Sequence, residues 1–150
     1  MKYLITLLFV GCTMISFAQT IISNEQAFKK IKKKGTQLID VRTDTEYEQN
    51  HIKNAIHIDW LNQNTFGEIA NRRNKQKPVY LYCKSGNRSS KAAKYLTEQG
   101  FEVYDIEGGI LNWEASNLPL VTTEEELTKL KSKDFKALIK QFRNQTIQSV

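Results

Sequence analysis

The chain has 150 residues, which suits one domain of ordinary size. Hydrophobic residues make up 40% and charged residues 25%, with 7 Gly and 2 Pro, so collagen-like, low-complexity and wholly disordered classes are excluded. The formal net charge is +6, from 22 basic and 16 acidic residues. Two cysteines cannot form a disulfide scaffold, and no Cys-x-x-Cys or Cys/His cluster predicts a metal site.

The first eighteen residues have the layout of a secretory signal peptide. Lys2 supplies a basic start, residues 3–10 are almost wholly apolar, and Ser16 and Ala18 place small residues at positions −3 and −1 of a cleavage site. The apolar run is shorter than the ~20 residues that span a bilayer, so no stable membrane insertion is expected after cleavage. We therefore predict an exported protein, located in the periplasm if the cell is Gram-negative.

A second interpretation of this segment stays open. The run from Phe9 to Cys12 is similar to a bacterial lipoprotein box, in which Cys12 would carry a lipid and anchor the protein. Cleavage after Ala18 would instead remove Cys12 and leave Cys83 as the one cysteine of the mature chain. An exported protein that keeps a single thiol either pairs it between chains or uses it in chemistry.

Strand and helix signals alternate along the mature chain. Short apolar or β-branched runs predict five strands, and a helix signal separates most of them. These runs cover residues 20–22, 38–41, 55–58, 78–83 and 102–106. The alternation predicts an α/β fold with a mostly parallel sheet and helices on both faces. Such sheets bind ligands at the carboxyl ends of their strands.

Cap residues indicate where the helices begin and end. Ser23 predicts the start of the first helix and Thr43 the start of the second. A weaker helical pattern covers residues 60–73. A later helix begins at residue 87 or 88 and ends at Gly100. We place the domain at residues 19–121.

Residues 122–150 have no strand signal and predict one or two amphipathic helices that pack on the domain. Glu124 to Glu126 favour a helix start, and apolar side chains then follow helical spacing. These are Leu127, Leu130, Phe135, Leu138, Ile139 and Phe142. The same face could bind a protein partner, which is the alternative to packing on the domain.

The run from Lys29 to Lys34 contains five lysines at the end of the first helix. Lysines in this position complement the helix dipole and remain in water. An anionic membrane surface or a nucleic acid is the alternative ligand. The run is short and no aromatic side chains interleave it, so we expect no nucleic-acid partner.

The segment that follows Cys83 predicts an anion cradle around a reactive thiol. The cysteine ends a buried strand, and a short polar loop leads directly into a helix. Backbone N–H groups of such a loop and of the first helical turn have no carbonyl partners and converge on a negative charge. We expect a Cys83 pKa below ~8.5 and a nucleophilic thiolate at neutral pH. The predicted anion-binding residues are Lys84, Ser85, Gly86, Asn87, Arg88 and Ser89.

Three segments resemble the rhodanese-like domain family. CKSGNRS after an apolar strand is similar to the active-site loop of that family, and residues 38–58 are similar to its first signature. GGILNW, residues 108–113, is similar to its late Gly-Gly-x-x-x-Trp element. The segments stand in the family's order and span residues 21–118. Lys53-Asn54 replaces a Pro-Gly that is frequent in the family, and the resemblance does not extend to residues 122–150.

The resemblance implies a five-stranded, mostly parallel sheet and a sulfurtransferase of the thiosulfate sulfurtransferase type. Cys83 would take a sulfane sulfur from an anionic donor such as thiosulfate, and a thiol or cyanide would accept it from the Cys83 persulfide. No metal or organic cofactor is implied. Asp40, Arg42 and Glu46 are expected to support the site by hydrogen bonds and an ion pair, without a direct catalytic role.

Two other functions stay open on the same residues. One is a persulfide carrier or an anion-binding module without turnover. The other is a phosphatase or an arsenate reductase on the same fold. Four residues separate Cys83 from Arg88, one fewer than in the phosphatases that resemble rhodaneses. The shorter loop suits a single sulfur atom better than a tetrahedral oxyanion, which favours sulfur transfer.

Overall fold

The computed structural model describes residues 19–148, and the side chains of residues 19–137. The predicted signal peptide, with Cys12, lies outside the described residues. So do the side chains of Leu138, Ile139 and Phe142.

Within residues 19–148, one sheet contains five strands, namely β1 Thr20–Ile22, β2 Gln37–Asp40, β3 Ile56–His57, β4 Val79–Tyr82 and β5 Val103–Ile106. Their spatial order is β1-β5-β4-β2-β3, and every neighbouring pair is parallel. The central strand is buried on both faces along its whole length, which explains its continuous apolar sequence. The predicted α/β fold is confirmed.

In the described part of the chain, six helices connect or follow the strands. Ser23 and Thr43 cap the first two as predicted, and Thr43 forms a capping box with Glu46. The helix predicted from residue 60 begins only at Gln63, because the Asn62 side chain accepts a hydrogen bond from Thr65 N and caps it there. The helices are α1 Asn24–Ile31, α2 Asp44–Gln49, α3 Gln63–Asn71, α4 Asn87–Glu98, α5 Gly109–Ala115 and α6 Thr123–Gln148.

The helices cover both faces of the sheet and bury two apolar clusters. On one face, Phe66 of α3 and Leu96 of α4 pack against β2, β4 and β5. On the other face, Ala27 of α1 and Trp113 of α5 pack against the opposite side chains of the same strands. Trp113 is fully buried, as expected for a core residue, and its indole N–H donates to Pro119 O at 3.2 Å.

The start of the C-terminal extension is tied to the domain. His51 and Val121 exchange backbone hydrogen bonds of 2.8 and 2.9 Å, and His51 Nε2 lies 3.3 Å from a Glu126 carboxylate oxygen. Further along α6, three apolar side chains are exposed, namely Leu127, Leu130 and Phe135. The packing of the whole extension on the domain remains a prediction. Among the residues that the structure describes, no helix has the length and apolarity to cross a bilayer.

Candidate active site

Cys83 lies at the carboxyl edge of the sheet, directly after its central strand. Residues 83–86 form a short loop, and α4 begins at the next residue. Gly86 precedes the helix with a φ of 101°, a left-handed conformation that glycine adopts without steric cost. No side chain caps α4, so the N–H groups of its first turn remain available to a ligand.

The Cys83 sulfur is surrounded by hydrogen-bond donors. Gly86 N–H donates to Sγ at 3.1 Å. Burial raises the pKa of the Cys83 thiol, but the nearby Ser89 hydroxyl and the backbone N–H groups of Ser89, Ser85 and Gly86 outweigh burial and hold that pKa below its ordinary value. The residue is only 1% exposed. A lowered pKa of a buried thiol therefore arises from local hydrogen bonds.

Arg88 is held by a carboxylate of another helix. Its guanidinium donates two hydrogen bonds to the Glu46 carboxylate, of 2.6 and 2.8 Å. The bond from Arg88 is the largest influence on the pKa of Glu46, which lies at about 2. Glu46 also accepts from Thr43 N at 3.1 Å, so one side chain connects the start of α2 to the start of α4. The structure thus places Arg88 in an ion pair beside the loop.

A second buried ion pair lies at the end of β2. Asp40 accepts from the backbone N–H of Arg42 at 2.9 Å and from its guanidinium at 2.7 to 3.0 Å, and both side chains are buried. Arg42 O is 2.8 Å from His57 Nε2. This pair shapes the backbone turn that leads from β2 to α2. The expected supporting residues Asp40, Arg42 and Glu46 are therefore found in two ion pairs near the loop.

The remaining predicted residues differ in exposure. Lys84, Ser85 and Asn87 are exposed on the loop and the helix start, whereas Ser89 is fully buried. His51 contacts Tyr47 O through its Nδ1 at 2.9 Å.

The Gly-Gly element packs directly on the cysteine loop. Ile110 N donates to Cys83 O at 2.9 Å and Leu111 N donates to Lys84 O at 3.2 Å. Gly109 has a φ of 61°, and a Cβ at this position would overlap the Cys83 carbonyl oxygen. The sequence analysis identified GGILNW as a family element but did not predict its contact with the cysteine loop. The start of α5 therefore fixes the backbone that carries the thiol.

Asp105 near the site was missed by the sequence interpretation. This residue of β5 is 6% exposed, and its Oδ2 accepts from Gln19 Nε2 at 3.3 Å. Burial raises the pKa of Asp105 to about 6. Asp105 stands two residues after the apolar Val103 in a strand, which places both side chains on the buried face. This spacing is the signal that could have indicated Asp105. Among the described residues, no group of acidic, His and Cys side chains is arranged to hold a metal ion.

Comparison with known proteins places the chain in a family. The Rhodanese-like domain profile matches residues 23–116, more than half of the sequence. The chain therefore belongs to the rhodanese-like domain family, as the three segments predicted.

Named relatives define the enzyme class. The chain is 40% identical over 95 residues to a protein named thiosulfate sulfurtransferase GlpE from Coxiella burnetii, covering 63% of this chain and 86% of the relative. A protein of the same name from Actinobacillus pleuropneumoniae is 36% identical over 104 residues, with coverage of 69% and 94%. The predicted class, a sulfurtransferase, is thereby confirmed.

Solved structures agree with the fold. A rhodanese-like domain protein from Staphylococcus aureus superposes with a TM-score of 0.56 at 33% identity, covering 63% of this chain and 90% of that protein. A rhodanese-related protein from Thermoplasma volcanium gives a TM-score of 0.61 at 28% identity, with coverage of 68% and 97%.

Proposed function

We propose that this sulfurtransferase moves a sulfane sulfur from an anionic donor such as thiosulfate to a thiol or cyanide through a Cys83 persulfide. The observation that carries the proposal is the position of the Cys83 sulfur, which lies at the tip of the central strand within reach of N–H donors and has a lowered pKa. The relatives named thiosulfate sulfurtransferase support thiosulfate as the donor.

The first half-reaction forms the persulfide. The Cys83 thiolate attacks the outer sulfur of thiosulfate, a new S–S bond forms, and the S–S bond of the donor breaks. Sulfite leaves as a dianion with the electron pair of the broken bond, and the terminal sulfur of the persulfide keeps the negative charge that it carried in thiosulfate. No proton, oxidant or reductant is consumed.

The second half-reaction regenerates the thiolate. Cyanide or an acceptor thiolate attacks the terminal sulfur and forms a bond to it, and the persulfide S–S bond breaks. Cys83 leaves with that electron pair as a thiolate, so its lowered pKa makes it a good leaving group. Enzyme turnover of this kind is ping-pong, because sulfite leaves before the acceptor reacts.

Hydrogen bonds from the loop stabilise the charge that both half-reactions carry. The N–H groups of Ser85, Gly86 and Ser89 bond to the sulfur without carrying a charge themselves. Lys84 is exposed beside them and can attract a dianionic donor. Arg88 is already paired with Glu46, so its side chain is not free to bind the donor directly. Its part in donor binding is to add positive charge near the loop.

Steady-state transfer of sulfur from thiosulfate to cyanide tests the proposal. We expect thiocyanate formation by the wild type with ping-pong kinetics, and none by Cys83→Ser. One sulfur transferred per chain without further turnover would identify a carrier instead. Hydrolysis of an aryl phosphate, abolished by Cys83→Ser, would identify a phosphatase and would contradict the proposal.

We also propose that the protein is exported by its N-terminal segment and acts in the periplasm. The support is the sequence of residues 1–18. Mass spectrometry of the protein from fractionated cells tests this: a chain that begins at Gln19 supports cleavage, a lipid on Cys12 identifies an anchored protein, and an intact cytoplasmic chain contradicts export.

A further inference from the structure

Asp105 points toward the same side of the sheet as the reactive cysteine. In the parallel pairing of β4 and β5, Leu81 lies opposite Asp105. Cys83 follows Leu81 by two residues, so its side chain leaves the backbone on the same face. Helix α4, which carries Ser89, packs on this face. Asp105 therefore lies on the strand next to the one that precedes Cys83, on the face of the sheet that α4 covers.

The Asp105 carboxyl is buried with half of its hydrogen-bonding capacity unused. Oδ2 accepts from Gln19, but Oδ1 is buried and has no partner among the described residues. Unpartnered buried carboxyl oxygens are costly, since burial removes water without a replacement. The packing of this site therefore favours a donor that can turn toward Oδ1, or a proton on the carboxyl itself.

The Ser89 hydroxyl is that donor, and it has one hydrogen for three acceptors. In the structure it donates to Gly86 O at 3.1 Å. The Ser89 side chain also lowers the pKa of both Cys83 and Asp105, so it is close enough to influence both groups. A hydroxyl donates a single hydrogen bond at a time. Cys83 and Asp105 therefore compete for Ser89.

We propose that Asp105 is a positioning residue for sulfur transfer, whose charge decides whether the Ser89 hydroxyl donates to the carboxylate or to the Cys83 sulfur. The inference rests on the proposed function, which it deepens. An ionised Asp105 takes the Ser89 hydrogen and leaves the sulfur with its backbone donors. A neutral Asp105 donates its own proton to Ser89 Oγ, and the Ser89 hydrogen then points to the sulfur.

The Asp105 carboxyl is buried and titratable, and its charge changes near pH 6. Its pKa of about 6 results from burial, against smaller lowering effects of Ser89 and Gln19. The charged and titratable groups of the neighbouring elements are engaged elsewhere or exposed. On α4, Arg88 pairs with Glu46, the Tyr95 hydroxyl accepts from Asn71, and the exposed side chains are those of Lys91, Lys94 and Glu98. On β4, the Tyr82 hydroxyl accepts from Ile52 N, and Tyr80 packs on the opposite face of the sheet. On β5, the Tyr104 hydroxyl donates to Glu102, and β1 holds no titratable side chain. Cys83 is then the group that Asp105 influences through Ser89.

The pH profile of Cys83 alkylation by iodoacetamide tests this coupling without requiring sulfur transfer. We expect a two-step profile for the wild type, with the first step near the Asp105 pKa. Asp105→Asn, which is neutral and can always donate to Ser89, should give one step and a Cys83 pKa lower by about half to one unit. Ser89→Ala should raise the Cys83 pKa, and Asp105→Asn should then have no further effect in that background.

The double-variant cycle decides the outcome. An equal shift by Asp105→Asn with and without the Ser89 hydroxyl would overturn the proposal, as would an unchanged profile in Asp105→Asn. Glu102→Gln, which neutralises an exposed carboxylate next to the same strand, is the control and should leave the profile unchanged. Far-ultraviolet circular dichroism of every variant confirms the fold. If the coupling is found but no thiocyanate forms with thiosulfate and cyanide, the inference stands and the proposed donor reaction fails.

Discussion

Substitution of Glu46 by glutamine should lower the stability of the fold, because it removes the ionic part of the pairing between Glu46 and Arg88. Glu46→Gln keeps an oxygen that can accept from Thr43, so the capping box remains. The pKa of Glu46 is lowered from 4.5 to about 2, chiefly by the hydrogen bonds from Arg88. That difference corresponds to about 3 kcal/mol of stability at neutral pH. Both side chains retain 20–25% exposure, and screening by water reduces the expected loss to about 2 kcal/mol.

The pH dependence separates the ion pair from a general packing effect. Because the folded pKa is depressed, the stabilisation is complete above pH 4.5 and disappears as the pH falls through about 2. Urea unfolding at pH 7 and at pH 2.5 measures it, with Glu48→Gln on the same exposed helix as the control. We expect Glu46→Gln to lose about 2 kcal/mol at pH 7 and much less at pH 2.5. An equal loss at both pH values would refute the reasoning.

Three further predictions concern the loop and its surroundings. Gly109→Ala should destabilise the fold by at least about 2 kcal/mol in thermal unfolding, because the new methyl group overlaps Cys83 O. The control Gly100→Ala should cost about 1 kcal/mol, because Gly100 also has a positive φ, of 85°, but has open space for a methyl group. Asp105→Asn should stabilise the fold by up to about 3 kcal/mol in urea unfolding at pH 8, since the buried carboxylate resists ionisation, and by nothing at pH 3.5. Lys84→Gln should raise the KM for thiosulfate about two- to fivefold at low salt, with kcat unchanged.

Each of these has an outcome that would count against it. Equal losses for the two glycine variants would show that the contact with Cys83 O is unimportant. A stability gain for Asp105→Asn that persists at pH 3.5 would show that charge is not its cause. A salt-independent KM change in Lys84→Gln, or the same change in Lys91→Gln on the exposed side of α4, would refute a specific electrostatic role for Lys84.

Local patterns in the sequence were enough to predict the sheet and the position of the thiol. The fully apolar run before Cys83 predicted a buried strand, and the polar loop that contains Gly86 predicted the cradle, since both depend on neighbouring residues. Ser23 and Thr43 are cap residues whose effect is equally local. The start of α3 was placed three residues too early, because the cap at Asn62 lies within a stretch that also suits a helix.

Contacts between distant segments were beyond local patterns. The bond of Arg88 to Glu46 joins residues 42 positions apart, and either cation of the loop could have been the one paired. The approach of Gly109 to the Cys83 carbonyl depends on how α5 meets β4. Asp105 is near Ser89 only because β5 lies beside β4 in the sheet, an arrangement that the strand order of the chain does not reveal.

Mass spectrometry of the purified protein after exposure to thiosulfate tests the central chemistry most directly. A nucleophilic thiolate in the loop predicts one added sulfur atom, about 32 Da, on the peptide that contains Cys83, which cyanide then removes. Cys83→Ser should gain no mass under the same conditions. A wild-type protein that remains unmodified, while a sulfurtransferase of known activity is modified beside it, would contradict the persulfide mechanism.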